Sequence, residues 1–467
     1  MDEHEKGEML RLLPSMDTLL RAQIAGRITS EAGAKHLTVL ARSAIDQLRK
    51  KLFADQNGST NYSREHLLKE AEENLETIWR DERNTSLRRV INATGVIVHT
   101  NLGRARFSEN ARRALIETAS GYCNLEYDIA TGKRGKRGAR VEQLLAELTG
   151  AESALVVNNC AAATFLVLTV LAKGGEAVVS RGELVEIGGD FRIPDVMEQS
   201  SATMREVGTT NRTKVSDYEK AVNENTKLFL KVHPSNYRIV GFTEAPDLKE
   251  LAELAHRCAV LLYEDAGSGA IFDLSKYGLT DEPIITDSIK AGADVVSFSG
   301  DKLLGGAQSG LIVGRREVIE KIRRHPLYRA LRVDKLIYAA LEATLESFRR
   351  ETALTEIPVL RMLSMTHEKL KERAENFVEK LGESSTLHIE IVAGNSVVGG
   401  GSAPAVQPPT TLLAVTHRKM SADKLEEKLR SSSPPVVARI LNDKVLFDLR
   451  TVSEEEEEQL EQILREI

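Results

Sequence analysis

Cysteine is scarce: Cys123, Cys160 and Cys258 are the full set, and no CxxC occurs. So odd and scattered a set indicates neither a disulfide framework nor a structural zinc site. Aromatic residues are only 4% of the 467 positions, too few for a platform on which single-stranded nucleic acid stacks. An excess of one charge is missing as well. The 63 Lys and Arg face 69 Asp and Glu, a formal net charge of −6, which excludes a globally basic DNA or RNA binder but not a local basic patch. No apolar run approaches the roughly 20 residues that span a bilayer, and the charged start MDEHEKGEML has no leader-like apolar stretch. A reducing, cytoplasmic setting fits these absences. The GxGxxG, Walker A, HExxH and Gx-Ser-xG patterns are absent too, which disfavours dehydrogenase and NTPase readings. What is present is ordinary for a globular chain with a real core, 42% hydrophobic and 28% charged, at a length suggesting roughly two or three domains.

The grammar changes along the chain. Residues 1–85 read as helices only: Leu10, Leu12, Leu13, Leu19 and Leu20 around Pro14, then Leu37, Leu40, Ala44 and Leu48, then Leu67, Leu68, Ala71 and Leu75 recur at helical spacing. The turn-rich Asp55–Asn61 link separates the last two series. Over 86–333, short β-branched runs (Ser153–Val157, Ala177–Ser180, Leu228–Val232, Ala259–Tyr263, Asp294–Phe298, Leu311–Val313) alternate with amphipathic segments such as Val141–Leu148, Leu248–Arg257 and Ile285–Ala291. Strands joined through helices make a mostly parallel α/β sheet, with ligands beyond the strands' carboxyl ends. The remainder, 334–467, opens with a helix over Lys335–Arg350. It continues as a smaller α+β domain with strands at Thr411–Val415, Val436–Ile440 and Lys444–Phe447 and a Gly/Pro-rich loop at Gly394–Pro409. The acidic run Glu454–Glu458 suits the first turn of a final helix capped by Ser453.

Three segments carry chemistry. In Val295-Val-Ser-Phe-Ser-Gly-Asp-Lys-Leu-Leu-Gly-Gly306 a buried strand ends and Lys302 follows at its carboxyl edge, next to Ser299. A lysine that forms a Schiff base must be desolvated, or lie near another cation, to be uncharged at neutral pH. Asp265 ends a second apolar strand, Val260-Leu-Leu-Tyr-Glu-Asp265, 37 residues before Lys302 and one crossover unit away. Pyridoxal phosphate needs this pair, a lysine for its aldehyde and an aspartate to keep its ring nitrogen protonated. The third segment supplies a phosphate cradle. After Ala154-Leu-Val-Val157 the chain turns through Asn158 and Asn159 into a helix of small residues, Cys160, Ala161 and Ala162, whose free N–H groups suit an anion. Cys160 itself reads as a small packed residue rather than a reactive thiol.

Longer blocks go further. Ile91-Asn-Ala-Thr-Gly-Val-Ile-Val-His-Thr-Asn-Leu-Gly-Arg-Ala105, Arg181-Gly-Glu-Leu-Val-Glu-Ile-Gly-Gly189, Val207-Gly-Thr-Thr-Asn211, Lys231-Val-His-Pro-Ser-Asn-Tyr237 and Ser299-Gly-Asp-Lys-Leu-Leu-Gly-Gly306 resemble the bacterial selenocysteine synthases, the L-seryl-tRNA(Sec) selenium transferases. The resemblance implies an aspartate-aminotransferase-like type I fold: a mostly parallel seven-stranded sheet with helices on both faces, a small C-terminal α+β domain and a helical N-terminal domain that recognises tRNA. It implies β-replacement on seryl-tRNA(Sec), through an aminoacrylyl-tRNA intermediate with selenophosphate as donor, in a decamer of five dimers. Lys302 becomes the cofactor lysine, with His233 near the ring. Arg104, Arg329 and Arg332 become the holders of the anionic donor; the last two, three apart, share a face if helical. Phosphate contacts to tRNA are expected from Lys133-Arg-Gly-Lys-Arg-Gly-Ala-Arg140 and from Arg42, Arg49, Lys50 and Lys51. A related pyridoxal lyase acting on a small free amino acid or amino sugar is the nearest rival.

Overall fold

The computed structural model describes residues 11–54, 63–187 and 192–467. Leu10 and the Asp55–Asn61 link lie outside the described residues. The chain divides into two compact units, Met1–Arg89 and Val90–Ile467.

In the first unit, helices α1 (Met16–Leu20), α2 (Gln23–Ala32), α3 (Ala34–Ala54) and α4 (Arg64–Asn84) surround one apolar core. Leu37, Leu40, Ala44 and Leu48 of α3 and Leu67, Ala71 and Leu75 of α4 are buried, because steps of three and four keep them on one side of each helix. Ser15 and Ser63 accept the Thr18 and His66 N–H groups at 3.2 Å, caps worth about 1 kcal/mol each.

The second unit is built on seven strands: β1 (Ser153–Val157), β2 (Glu176–Ser180), β3 (Thr203–Val207), β4 (Thr226–Val232), β5 (Leu261–Gly267), β6 (Val295–Ser299) and β7 (Gly310–Gly314), in the order β1-β7-β6-β5-β4-β2-β3. Only β7 runs against the others; the remaining pairings are parallel. Apolar side chains cover both faces, one core on each, which is why these strands read as continuous rather than alternating apolar runs. Strand β3 escapes such a reading: Thr203-Met-Arg-Glu-Val207 is an edge strand whose side chains are mostly exposed.

A second sheet, antiparallel throughout, contains β8 (Leu387–Asn395), β9 (Pro409–His417), β10 (Arg439–Leu441) and β11 (Lys444–Asp448) in the order β8-β9-β11-β10. The single strand expected over Val436–Ile440 is two. Val436 and Val437 pair with Ile91 and Asn92, so the chain changes partners before Arg439. The loop expected over Gly394–Pro409 is shorter, because Gly394 and Asn395 close β8 and Pro409 opens β9. The acidic run is the first turn of a final helix, Glu454–Glu466. Within it the Glu456 carboxylate accepts the Ser453 N–H at 2.9 Å and Arg106 at 2.7 Å. Among the described residues no helix is long and apolar enough to cross a membrane.

Candidate active site

The parallel register brings the two key residues to neighbouring strand ends. Asp265 lies opposite Ser297 across the β5–β6 pair, and Lys302 follows β6 by three residues. Helix α5 (Cys160–Leu171) starts directly after β1 and faces the same edge. Its Thr164 hydroxyl donates to Asp265 Oδ2 at 2.8 Å, the Ser297 hydroxyl donates to Oδ1 at 3.2 Å, and the Cys160 thiol points to Oδ1 at 3.6 Å. Tyr263 Oη and Ser297 Oγ lie 2.7 Å apart behind this carboxylate. Burial raises the Asp265 carboxyl above its ordinary range, opposed by Thr164, by the charge of Lys302 and by Ser297. A buried acid with donors already in place is suited to meet a cation.

Lys302 is 5% exposed. Burial lowers its pKa, with Arg104 assisting and the Asp265 and Asp301 charges opposing. The desolvated amine that Schiff-base chemistry requires is therefore present. Its Nζ donates to the Gly401 carbonyl at 3.2 Å. Arg104 holds a positive φ of 62°, unusual for a side chain of its size, and its guanidinium pairs with Asp301 at 2.9 Å. Burial pushes the Cys160 thiol up, as does the Asp265 charge; a thiol so protonated is a packing group.

The cradle has a defined geometry. Asn159 caps α5, its side chain accepting the Ala162 N–H at 2.8 Å while its carbonyl accepts Ala163 N–H at 3.1 Å. The first two N–H groups of the helix, those of Cys160 and Ala161, are then the ones an anion would use. Gly310 of β7 makes room for this turn: a Cβ there would lie 2.1 Å from the Asn159 carbonyl oxygen. Cradle, acid and amine fit a phosphorylated aromatic aldehyde.

Other candidate residues lie elsewhere. His233 follows β4; its backbone N–H donates to the Asp265 carbonyl at 3.0 Å, but its ring faces Glu282 at 3.4 Å. Ser299 ends β6, buried, within reach of Cys160. The shared helical face expected for Arg329 and Arg332 does not form. Helix α6 (Pro326–Leu331) ends first, and Arg332 has an extended ψ of 146°. The reason is a distant partner: the Leu331 carbonyl is taken by Asn158 N–H at 2.9 Å, which ties the end of α6 to the cradle. Arg329 is exposed, and Arg332 lies 3.7 Å from Glu126. Within one chain, among the described residues, no hydrogen bond or ion pair joins either arginine to Lys302 or Asp265. The 133–140 cations are largely neutralised: Arg134 and Arg137 by Glu126, Lys136 by Glu142, Arg140 by Glu346. A pocket of about 810 Å³, lined by Lys231, His233, Glu264 and Glu282, adjoins the site. Strand alternation puts Lys231 and Glu264 on the face opposite Val232 and Asp265.

Residues 90–453 match the model of the L-seryl-tRNA selenium transferase family. The chain belongs to that family. It is 47% identical over 453 residues to the L-seryl-tRNA(Sec) selenium transferase of Alkaliphilus metalliredigens, covering 97% of each chain. It is 45% identical to the transferase of the same name from Aquifex aeolicus, over 91% of this chain and 93% of the relative. Among solved structures, a D-glucosaminate-6-phosphate ammonia-lyase is similar with a TM-score of 0.57 at 21% identity, over 83% of this chain and 97% of that one. The last likeness concerns the fold alone, a mostly parallel seven-stranded sheet of the kind expected from the sequence.

Proposed function

We propose that this chain is a pyridoxal 5′-phosphate-dependent selenium transferase that converts L-seryl-tRNA(Sec) to L-selenocysteinyl-tRNA(Sec) with selenophosphate as donor. Near full-length identity to transferases of that name supports the activity. The observation that carries the chemistry is a buried amine, Lys302, and a buried acid, Asp265, facing one capped helix start. When bound, the cofactor supplies an electron sink for the carbanion formed as the seryl α-proton leaves.

The chain's own residues do the rest. The Cys160 and Ala161 N–H groups hold the phosphate. Asp265, oriented by Thr164 and Ser297, would keep a proton on the ring nitrogen. Lys302, with its amine free, would remove the seryl α-proton from a desolvated position. The β-hydroxyl would leave as water with the proton that Lys302 took up, and selenium from selenophosphate would enter at that carbon, its bond to phosphorus then broken by water to release phosphate. Arg104, beside Asp301 and close enough to lower the Lys302 pKa, presents a guanidinium suited to the selenophosphate anion, with Arg329 and Arg332 as further cations for it. The first unit recognises tRNA by shape, and the enzyme works in the cytoplasm as a decamer of five dimers.

The deciding assay mixes purified protein with seryl-tRNA(Sec) and selenophosphate and follows selenocysteinyl-tRNA. Its formation, together with loss of the visible cofactor absorbance in Lys302→Ala, supports the reading. Ammonia release from a free amino acid without tRNA product would replace it with the lyase.

A further inference from the structure

Gly399, Gly400 and Gly401 take positive φ values of 78°, 61° and 73°, a left-handed run that only glycine adopts at low cost. A Cβ on Gly399 or Gly400 would meet Val96 or Val98 at 2.5 Å. The run delivers the Gly401 carbonyl to Lys302 Nζ at 3.2 Å, so closely that a Cβ on Gly401 would lie 3.1 Å from that nitrogen. Two residues on, the Ala403 N–H donates to Glu282 Oε1 at 2.5 Å. The same oxygen is 3.4 Å from His233 Nε2. Burial by itself would raise the Glu282 carboxyl, but its interactions with His233, Ser268 and the Ala403 N–H together hold the group below its ordinary range. Glu282 therefore joins the end of β4 to the loop that touches the reactive lysine.

We infer that Glu282 is a positioning residue: with His233 it clamps the triglycine loop at Ala403, so that the Gly401 carbonyl orients the Lys302 amine whenever that amine is free of the cofactor. This rests on the reading of Lys302 given above. During turnover such a lysine alternates between a bond to the cofactor and a free amine that must act as a base. A free amine on a four-carbon stem samples many rotamers. Donation of one N–H to a fixed carbonyl restricts them and directs the nitrogen lone pair away from the loop. From sequence the segment reads only as a loop, because the clamp joins residues more than a hundred positions apart.

The test uses the holoenzyme and the variants Glu282→Gln and Glu282→Ala. Hydrogen exchange is followed across 397–405, bound cofactor by its visible absorbance, and kcat and KM with seryl-tRNA carrying ordinary or α-deuterated serine. In Glu282→Ala the Ala403 amide should exchange at least about tenfold faster. Its kcat per bound cofactor should fall about 10–100-fold with KM little changed, and the deuterium isotope effect on kcat should rise as proton removal slows. Glu282→Gln keeps an acceptor for Ala403 but not the charge facing His233, and should fall between. The inference is overturned by unchanged exchange at 399–403, or by a kcat loss that only mirrors lost cofactor with an unaltered isotope effect. If the alanine variant does not fold, an isotope effect and kcat in Glu282→Gln equal to those of the parent overturn it too. Visible absorbance retained by Lys302→Ala is a separate result, which removes the assignment of the lysine rather than the clamp.

Discussion

Asp265→Asn separates charge from shape at the centre of the site. In the native chain the carboxylate accepts from Thr164 at 2.8 Å, Ser297 at 3.2 Å and Cys160 at 3.6 Å. Asparagine has one acceptor oxygen, which can keep Ser297 and Cys160 on the Oδ1 side. Its amide nitrogen then faces Thr164 Oγ1, whose hydroxyl has an alternative acceptor in the Cys160 carbonyl at 3.1 Å. All partners remain satisfied, so the packing cost should stay below about 1 kcal/mol. What disappears is the negative charge that the proposed function sets against the cofactor's ring nitrogen. Loss of one such preorganised stabiliser costs about 3–4 kcal/mol, or about 10²–10³-fold in kcat.

The cofactor-free protein should respond in the opposite sense. Asp265 has its folded-state pKa raised by burial, so the native state binds its proton more tightly than the unfolded chain. Stability therefore falls as pH rises from the ordinary aspartate value through the raised one, then levels off. The asparagine variant has no such penalty. Apo-protein melting in a pH series should show the variant gaining on the parent across that interval, and single-turnover assays of the loaded enzymes should show the rate loss. A kcat within about threefold of the parent, or a variant that loses ground to the parent in melting as pH rises, would refute the electrostatic account.

Arg104→Ala removes a cation that helps hold the Lys302 pKa down. The pH midpoint for cofactor reattachment to apo-protein should move upward, and KM for selenophosphate should rise; a midpoint unchanged or lowered counts against it. Gly310→Ala places a methyl 2.1 Å from the Asn159 carbonyl oxygen and should weaken cofactor affinity at least about tenfold, read by absorbance titration with far-UV circular dichroism unchanged. Arg450 is fully buried and donates to Ser396 Oγ and to the carbonyls of Met362, Met365 and Pro409 at 2.6–2.9 Å. Arg450→Met leaves these acceptors dry and should destabilise the second unit by about 3–5 kcal/mol in urea unfolding.

The order cradle, acid, amine was legible because each of the three belongs to one short segment whose apolar run and turn residues announce a strand end. The helices of the first unit were legible for a similar reason, since their buried leucines repeat at a local period. Sequence also determined the family, through blocks too long to arise from packing alone. Tertiary structure decided what depends on distant partners. Ser297 and Thr164 became partners of Asp265 only once β6 and α5 were packed beside β5. Edge strand β3 carries no apolar pattern to read. The 133–140 cations were neutralised by Glu126, Glu142 and Glu346, the last more than two hundred residues away. Arg332 left its helix because Asn158 claimed the Leu331 carbonyl. Local spacing reports what a residue does within its own helix or strand; which charge or hydrogen bond it meets is settled by chain crossings, and these the spacing does not encode.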